Sequence, residues 1–300
     1  MSGARPSIEG WGSGLLGVVI FSGSLPATRV AVSGFPPLFL TCARATIAAL
    51  LGAALLTLLR QPWPQRRDLA SLAVVALGVV VGFPLLTAFA LQHITSARSI
   101  VFIGLLPLAT AIFAVLRGGE RPRPPFWLFS CLGSATVAAF ALSGGGAGPA
   151  SGDLMMIAAI VLCGLGYAEG AKLSRRLGGW QVISWALVLA APAMLALALA
   201  TLPASWRGIG APAWIGLGYV SVFSMLVGFV FWYRGLALGG IASVGQLQLL
   251  QPFFGLALAG LLLGEPVAWT MVAATAVIVV CVAFARASTT ASSTSRSCAA

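Results

Sequence analysis

Ten apolar runs, each about as long as a bilayer is thick, follow one another with very little between them. They cover residues 12–32, 37–59, 69–90, 97–116, 125–143, 153–173, 180–202, 212–233, 241–263 and 267–285. A helix needs about 20 apolar residues to cross the hydrocarbon core. Inside that core only helices and closed barrels satisfy their own backbone groups. Runs of this length are helical, so the chain is expected to be an all-α integral membrane protein of ten transmembrane helices. The first run, preceded by a short stretch with Arg5, is read as a retained helix and not as a signal peptide. The breaks carry turn chemistry, as in Ser33-Gly34-Phe35-Pro36-Pro37, Gln61-Pro62-Trp63-Pro64 and Gly264-Glu265-Pro266. Composition bears on the solvent: 59% of residues are hydrophobic and 8% charged, against about 25% charged in soluble domains.

The positive charges test the count. With the N-terminus in the cytoplasm and sides alternating, the inner segments hold 13 of the 17 Lys and Arg residues. The outer segments hold only Arg29, Arg98 and Arg207, and Arg44 lies within the second run. That bias is the positive-inside rule, and removing one helix reverses every later loop. Both termini are therefore expected on the cytoplasmic side of a bacterial inner membrane. The net charge of +11 reads as this topology signal and not as a nucleic-acid surface. The Ser/Thr-rich tail, 287–300, is expected to be disordered.

A second signal is duplication. Shifting the chain by 145 residues places Leu91 on Leu236, Ala97 on Ala242, Pro107 on Pro252, Leu116 on Leu261, Gly119 on Gly264 and Glu120 on Glu265. Five helices separate the copies, and an odd number inverts the second copy. Two inverted five-helix repeats, 1–145 and 146–286, are therefore expected, an arrangement common in secondary transporters.

The residues that end each repeat carry a resemblance. "LLPLATAIFAVLRGGERP" (105–122) and "LLQPFFGLALAGLLLGEPV" (249–267) each hold a helix-central proline followed by Gly-Glu, and "CARATIAALL" (42–51) holds an arginine in the second helix. In these the chain resembles the EamA-type branch of the drug/metabolite transporter superfamily, over about residues 11–286. Phe21 and Ser22 stand where many members carry Trp or Gly. The resemblance implies export or exchange of small metabolites, amino acids among them, through a central cavity between the halves. The first, third, fourth, sixth, eighth and ninth helices are expected to line it.

Polar groups inside the runs are the candidate site. Gln246, Gln248 and Gln251 lie in the ninth run, with the last two about 60° apart on one helical face. Lipid offers an amide no partner, so they must face a cavity or another helix. Their equivalents in the first repeat are Val101, Ile103 and Leu106. Tyr167, Ser24, Ser99 and Trp185 complete the candidate substrate contacts. Arg44, about 10 Å below the surface, either attracts an anionic group such as a carboxylate, or snorkels outward or bonds helix carbonyls. Glu169 stands three residues from Lys172, the spacing of an interfacial ion pair. It is also the first suspect if protons are coupled. Pro107 and Pro252 read as paired hinges, Pro84 and Pro192 as static bends. His93 reads as a loop residue.

Other chemistries find no residues. Cys42, Cys131, Cys163, Cys281 and Cys298 are scattered without metal or disulfide spacing. Gly12-Ser13-Gly14-Leu15-Leu16-Gly17 matches a dinucleotide fingerprint without the strand it requires. A single His excludes the usual hydrolase constellations. No cofactor, metal or nucleic acid is expected; the partners are a small-molecule substrate and the lipid bilayer, with the chain a monomer or homodimer. The reading is a secondary transporter and not an enzyme. Its rivals are an intramembrane enzyme acting on lipid and a non-transporting scaffold or sensor.

Overall fold

The apolar runs become helices because Leu, Ala and Val fill them and because Pro and Gly punctuate their ends. The computed structural model describes residues 8–119, 124–142, 150–277, 279–281 and 284, and among these there is no strand. Glu120, Arg121, Arg123 and the tail 287–300 lie outside the described residues. Seven helices there are long and apolar enough to cross a membrane: α1 (Ile8–Ala31), α2 (Pro37–Leu58), α3 (Arg66–His93), α4 (Ser96–Arg117), α6 (Ala150–Leu177), α7 (Gly179–Ala200) and α8 (Ala211–Gly239). Helix α5 (Pro124–Leu142) falls between α4 and α6. Two shorter apolar helices follow, α9 (Gln251–Leu263) and α10 (Trp269–Cys281). Among the described residues the chain is thus all-helical, with the helix lengths and hydropathy of a multi-pass membrane protein.

Several helices are not regular. Helix α4 breaks after Ile103 and resumes at Leu106, one residue before Pro107. Ahead of α9 lie a short helix (Ile241–Gly245) and a 3₁₀ turn (Gln246–Leu250), and α9 itself starts at Gln251, one residue before Pro252. Proline lacks the N–H that the preceding turn needs, so the chain tightens or bends there. Both helices end on a glycine in the left-handed region, Gly119 at φ 68° and Gly264 at φ 61°, the usual helix stop. Helices α3 and α8 each contain a π-helical stretch, Ala76–Gly82 and Val220–Val227. The two stretches end 145 residues apart, the same offset as the sequence duplication. In α3 the widened turn precedes Pro84, which cannot donate back to it. No proline follows in α8, and the cause of its π stretch is not evident.

The main contacts run between the helices before and after residue 146. Helix α1 packs on α8, α2 on α7, and α3 on α6. The two broken helices pack reciprocally: the first part of α4 meets α9, and the short helix before α9 meets the second part of α4. Glycine permits close crossings. A Cβ on Gly78 of α3 would stand 2.6 Å from the carbonyl oxygen of Leu162 and 2.9 Å from Cα of Gly166 in α6. That is the close approach small residues allow in membranes.

The ends of the bundle differ. One end, arginine-rich, gathers Arg60, Arg66, Arg67, Arg117, Lys172, Arg175, Arg176 and Arg234; the other has Arg29, Arg98 and Arg207. Arg234 lies inside α8 and not in a connecting segment as its position suggested, because nothing breaks that helix before Gly240 at φ 88°. It faces Glu9 at 3.7 Å. Aromatic clusters mark both levels: Phe35, Phe39, Trp206 and Trp214 at the arginine-poor end, Trp63 against Trp185 at the other. These are the rings expected at bilayer interfaces.

Candidate functional site

Arg44 is the organising residue. It is 5% exposed, so it does not snorkel as its depth allowed. Its Nη2 instead donates to Ser224 Oγ at 3.1 Å, and Ser24 Oγ donates to the same oxygen at 2.7 Å. Arg44 Nε makes no hydrogen bond. A buried guanidinium with a free donor is costly, which makes Arg44 the leading candidate for a ligand contact.

The group opens on a small cavity of about 20 Å³, lined by Phe21, Ser24, Arg44, Tyr167, Ser224 and Gln251, with apolar walls including Val79, Leu106 and Phe229. Its lining comes from α1, α3, α4, α6, α8 and α9, and from α2 through Arg44. A cavity of that size holds a water and no larger ligand. Aromatic rings close it on one side. Phe21 meets Phe229 edge-on at 5.0 Å, and Tyr167 packs against both Phe229 and Trp232.

The glutamines divide. Gln251 reaches the carbonyl of Phe21 with its Nε2 at 3.4 Å, a long bond, and its Oε1 has no partner. Gln248 is fully buried beside Tyr167, yet neither of its amide atoms meets hydrogen-bond geometry. Trp232 Nε1, behind Tyr167, is also unpartnered. Each such buried group costs about 1–3 kcal/mol. Together they offer donors and acceptors that a polar ligand would satisfy. Of Gln246 only its place in the 3₁₀ turn is described.

Not every candidate joins this group. Ser99 Oγ is spent on the carbonyl of Thr95. Trp185 packs tilted against Trp63 toward the arginine-rich end. Pro252 sits beside Gln251 on α9 and Pro107 beside Leu106 on α4, so both helix breaks flank the cavity. Ser224 was missed: a serine in an apolar run ordinarily bonds its own helix, as Ser221 does to Leu217.

Ion pairs and capping hydrogen bonds join the helices toward both ends of the bundle. At the arginine-rich end Glu169, 1% exposed, accepts from Ser71 Oγ at 2.6 Å and from Arg117 Nε at 2.8 Å. The expected pairing with Lys172 thus gives way to Arg117 of α4, which reaches the buried carboxylate from the neighbouring helix. At the arginine-poor end Glu265 accepts from Ser96 N, Ser96 Oγ and Ala97 N, capping α4 at its positive end. Arg98 forks onto Asp153 at 2.7 and 3.0 Å. His93, in the last turn of α3, is exposed. Among the described residues no group of His, Cys, Asp and Glu could hold a metal ion.

Known proteins place this geometry in context. A family model described as "EamA-like transporter family" matches residues 10–142 and 150–287. A Bacillus subtilis (strain 168) protein named "Uncharacterized transporter YdeK" is 67% identical over 278 residues, covering 93% of this chain and 97% of that protein. A Streptantibioticus cattleyicolor protein named "Probable terminal-alkyne amino-acid exporter" is 26% identical over 254 residues, 84% of each chain. One crystal structure is similar in fold, with a TM-score of 0.70 at 20% identity over 92% of this chain and 97% of that one.

Proposed function

This chain belongs to the EamA-like transporter family, and on that premise we propose that it exports small metabolites, neutral and aromatic amino acids among them. It does so as a secondary transporter, with ten spans in two inverted five-helix repeats and both termini in the cytoplasm. The observation that carries the proposal is the buried polar group of Arg44, Ser24, Ser224 and Gln251 around a cavity between the halves. Arg44 Nε takes the substrate carboxylate, since guanidinium and carboxylate pair in a fork. The orphaned amides of Gln248 and Gln251 take its remaining polar group, and Phe21, Tyr167 and Phe229 take its apolar part. The name of the distant relative supports amino acids as the substrate class.

A cavity of about 20 Å³ is far below the roughly 300 Å³ of a small-ligand site. Transport therefore requires the halves to part, first at one end and then at the other. The breaks at Pro107 and Pro252 and the two π stretches support such bending. Glu169 is the candidate for carrying a coupled proton.

The test is efflux from proteoliposomes loaded with a panel of labelled neutral and aromatic amino acids, with and without a pH gradient. Gln251→Leu is expected to insert normally and to lose flux. Unchanged efflux by that variant rejects the site, and no flux of any panel member by the unaltered protein rejects the substrate class. Flux indifferent to the gradient makes the transport facilitated diffusion or exchange and removes Glu169 from the mechanism.

A further inference from the structure

A second cavity, unconnected with the Arg44 group, lies at the arginine-rich end between the start of α3 and the end of α6. Its volume is about 320 Å³, and Arg67, Ser71, Glu169, Lys172, Leu173 and Arg176 line it. Helices α3 and α6 have 28 residues each. At 1.5 Å per residue that is about 42 Å, against about 30 Å of hydrocarbon. Their ends therefore stand in the headgroup layer, and the cavity opens at that level.

Its charges are unevenly matched. Two described carboxylates belong to the region, and each already has its cation. Glu169, in the cavity floor, is held by Arg117 and Ser71; Asp68, buried, is held by Arg176. Arg67 and Lys172 remain, both exposed on the rim from opposite helices, and neither makes a salt bridge to a described carboxylate. Among the described residues the region thus carries four cations against two neutralised acids, with two donors lining a cavity of ligand size. A planar carboxylate is satisfied by one arginine fork. Cations arriving from two helices instead suit a tetrahedral oxyanion with acceptors on several sides.

We propose that this cavity binds a phosphate-bearing anion, with Arg67 and Lys172 gripping the phosphate and the Arg176–Asp68 pair forming one wall. At headgroup depth the source is an anionic lipid, whose phosphate lies at this level, or a soluble phosphate ester arriving from the water. Basic pockets between spanning helices at the membrane surface suit lipid headgroups.

The experiment reads the thermal unfolding of the purified full-length protein in detergent, with three probes. These are phosphatidylglycerol, phosphatidylcholine as the lipid without net charge, and glycerol 3-phosphate as the soluble ester. The variants are Arg67→Gln/Lys172→Gln together and Arg207→Gln at the opposite end. Arg67, Lys172 and Arg207 are all exposed, so the variants keep the fold, and their unfolding without ligand checks this. Phosphatidylglycerol is expected to stabilise the unaltered protein and Arg207→Gln alike, phosphatidylcholine much less. The double variant is expected to bind roughly 20- to 30-fold more weakly, from about 1 kcal/mol per basic residue. Equal stabilisation by glycerol 3-phosphate, lost in the same variant, assigns the site to a soluble ester. Phosphatidylglycerol stabilisation that survives the double substitution overturns the proposal, as does the absence of a shift with any of the three probes.

Discussion

The two halves of this chain share their backbone devices and differ in their chemistry. At an offset of 145 residues the π stretches, the proline-marked breaks and the left-handed glycine caps recur. The polar residues around the cavity do not. Ser224 and Gln251 have Val79 and Leu106 as their counterparts, and all four line the same space. Arg44 has Leu189 as its counterpart, a residue on the outer surface of the bundle at 44% exposure. The shared offset thus extends to where the helices bend and end, while the residues lining the cavity differ between the halves. A substitution that makes one half chemically like the other should damage transport. One made at both copies of a shared device should give matching effects.

The largest effect is expected at Arg44. Arg44→Leu gives it the residue of its counterpart and leaves Ser24 and Ser224 without the charge they were arranged around. The substrate carboxylate then lies buried without its cation, which costs about 3–5 kcal/mol, so substrate binding should weaken roughly a thousandfold. Leu189→Ala, at the equivalent position, should leave flux in proteoliposomes unchanged. Comparable losses in both would show that the halves are not chemically distinct.

Ser224→Val comes next, since it copies Val79. The Arg44 guanidinium then loses its observed hydrogen bond and Ser24 its acceptor. One buried donor left unsatisfied is worth about 1–3 kcal/mol, so flux should drop by roughly 10- to 100-fold, with Ser224→Thr retaining most of it. Equal loss in the Val and Thr variants would point to packing and not to the hydroxyl.

These two residues also show how far the sequence could be read. The helices, their breaks, the charge bias and the isolated Arg44 were all visible, because hydropathy and proline act locally. Ser224 was not. Ser22, Thr28, Thr87 and Ser174 each bond a carbonyl four residues back in their own helix, and nothing in the local pattern separates Ser224 from them. What separates it is the meeting of α1, α2 and α8, a tertiary fact. The partner of Glu169 escaped for the same reason: Lys172 is near in sequence, Arg117 is near in space. The π stretches were equally hidden, since Ala76–Gly82 and Val220–Val227 read as ordinary apolar helix.

The shared devices call for paired substitutions. Pro107→Ala and Pro252→Ala each restore a helix N–H where the helix breaks, and each favours a straighter α4 or α9. If both breaks serve the same rocking motion, the two variants should slow flux by similar factors, on the order of several-fold, without changing apparent affinity. A large effect at Pro252 alone would mean that the break matters for presenting Gln251 and not for bending.

The smallest effect is expected at the glycine caps, where the comparison is also sharpest. Gly119 and Gly264 have φ of 68° and 61°, and a Cβ on either would meet no atom within 4 Å. Alanine at either position therefore costs backbone strain alone, about 1 kcal/mol, and leaves the cavity untouched. Gly119→Ala and Gly264→Ala should lower the stability in detergent by equal amounts while flux stays unchanged. Gly78→Ala offers the contrast. There the backbone is helical and the added carbon would press on the Leu162 carbonyl at 2.6 Å, so the cost comes from prying α3 from α6 and should be larger. Unequal losses at Gly119 and Gly264 would mean that the two caps carry different loads, and the equivalence of the two helix ends would be one of shape only.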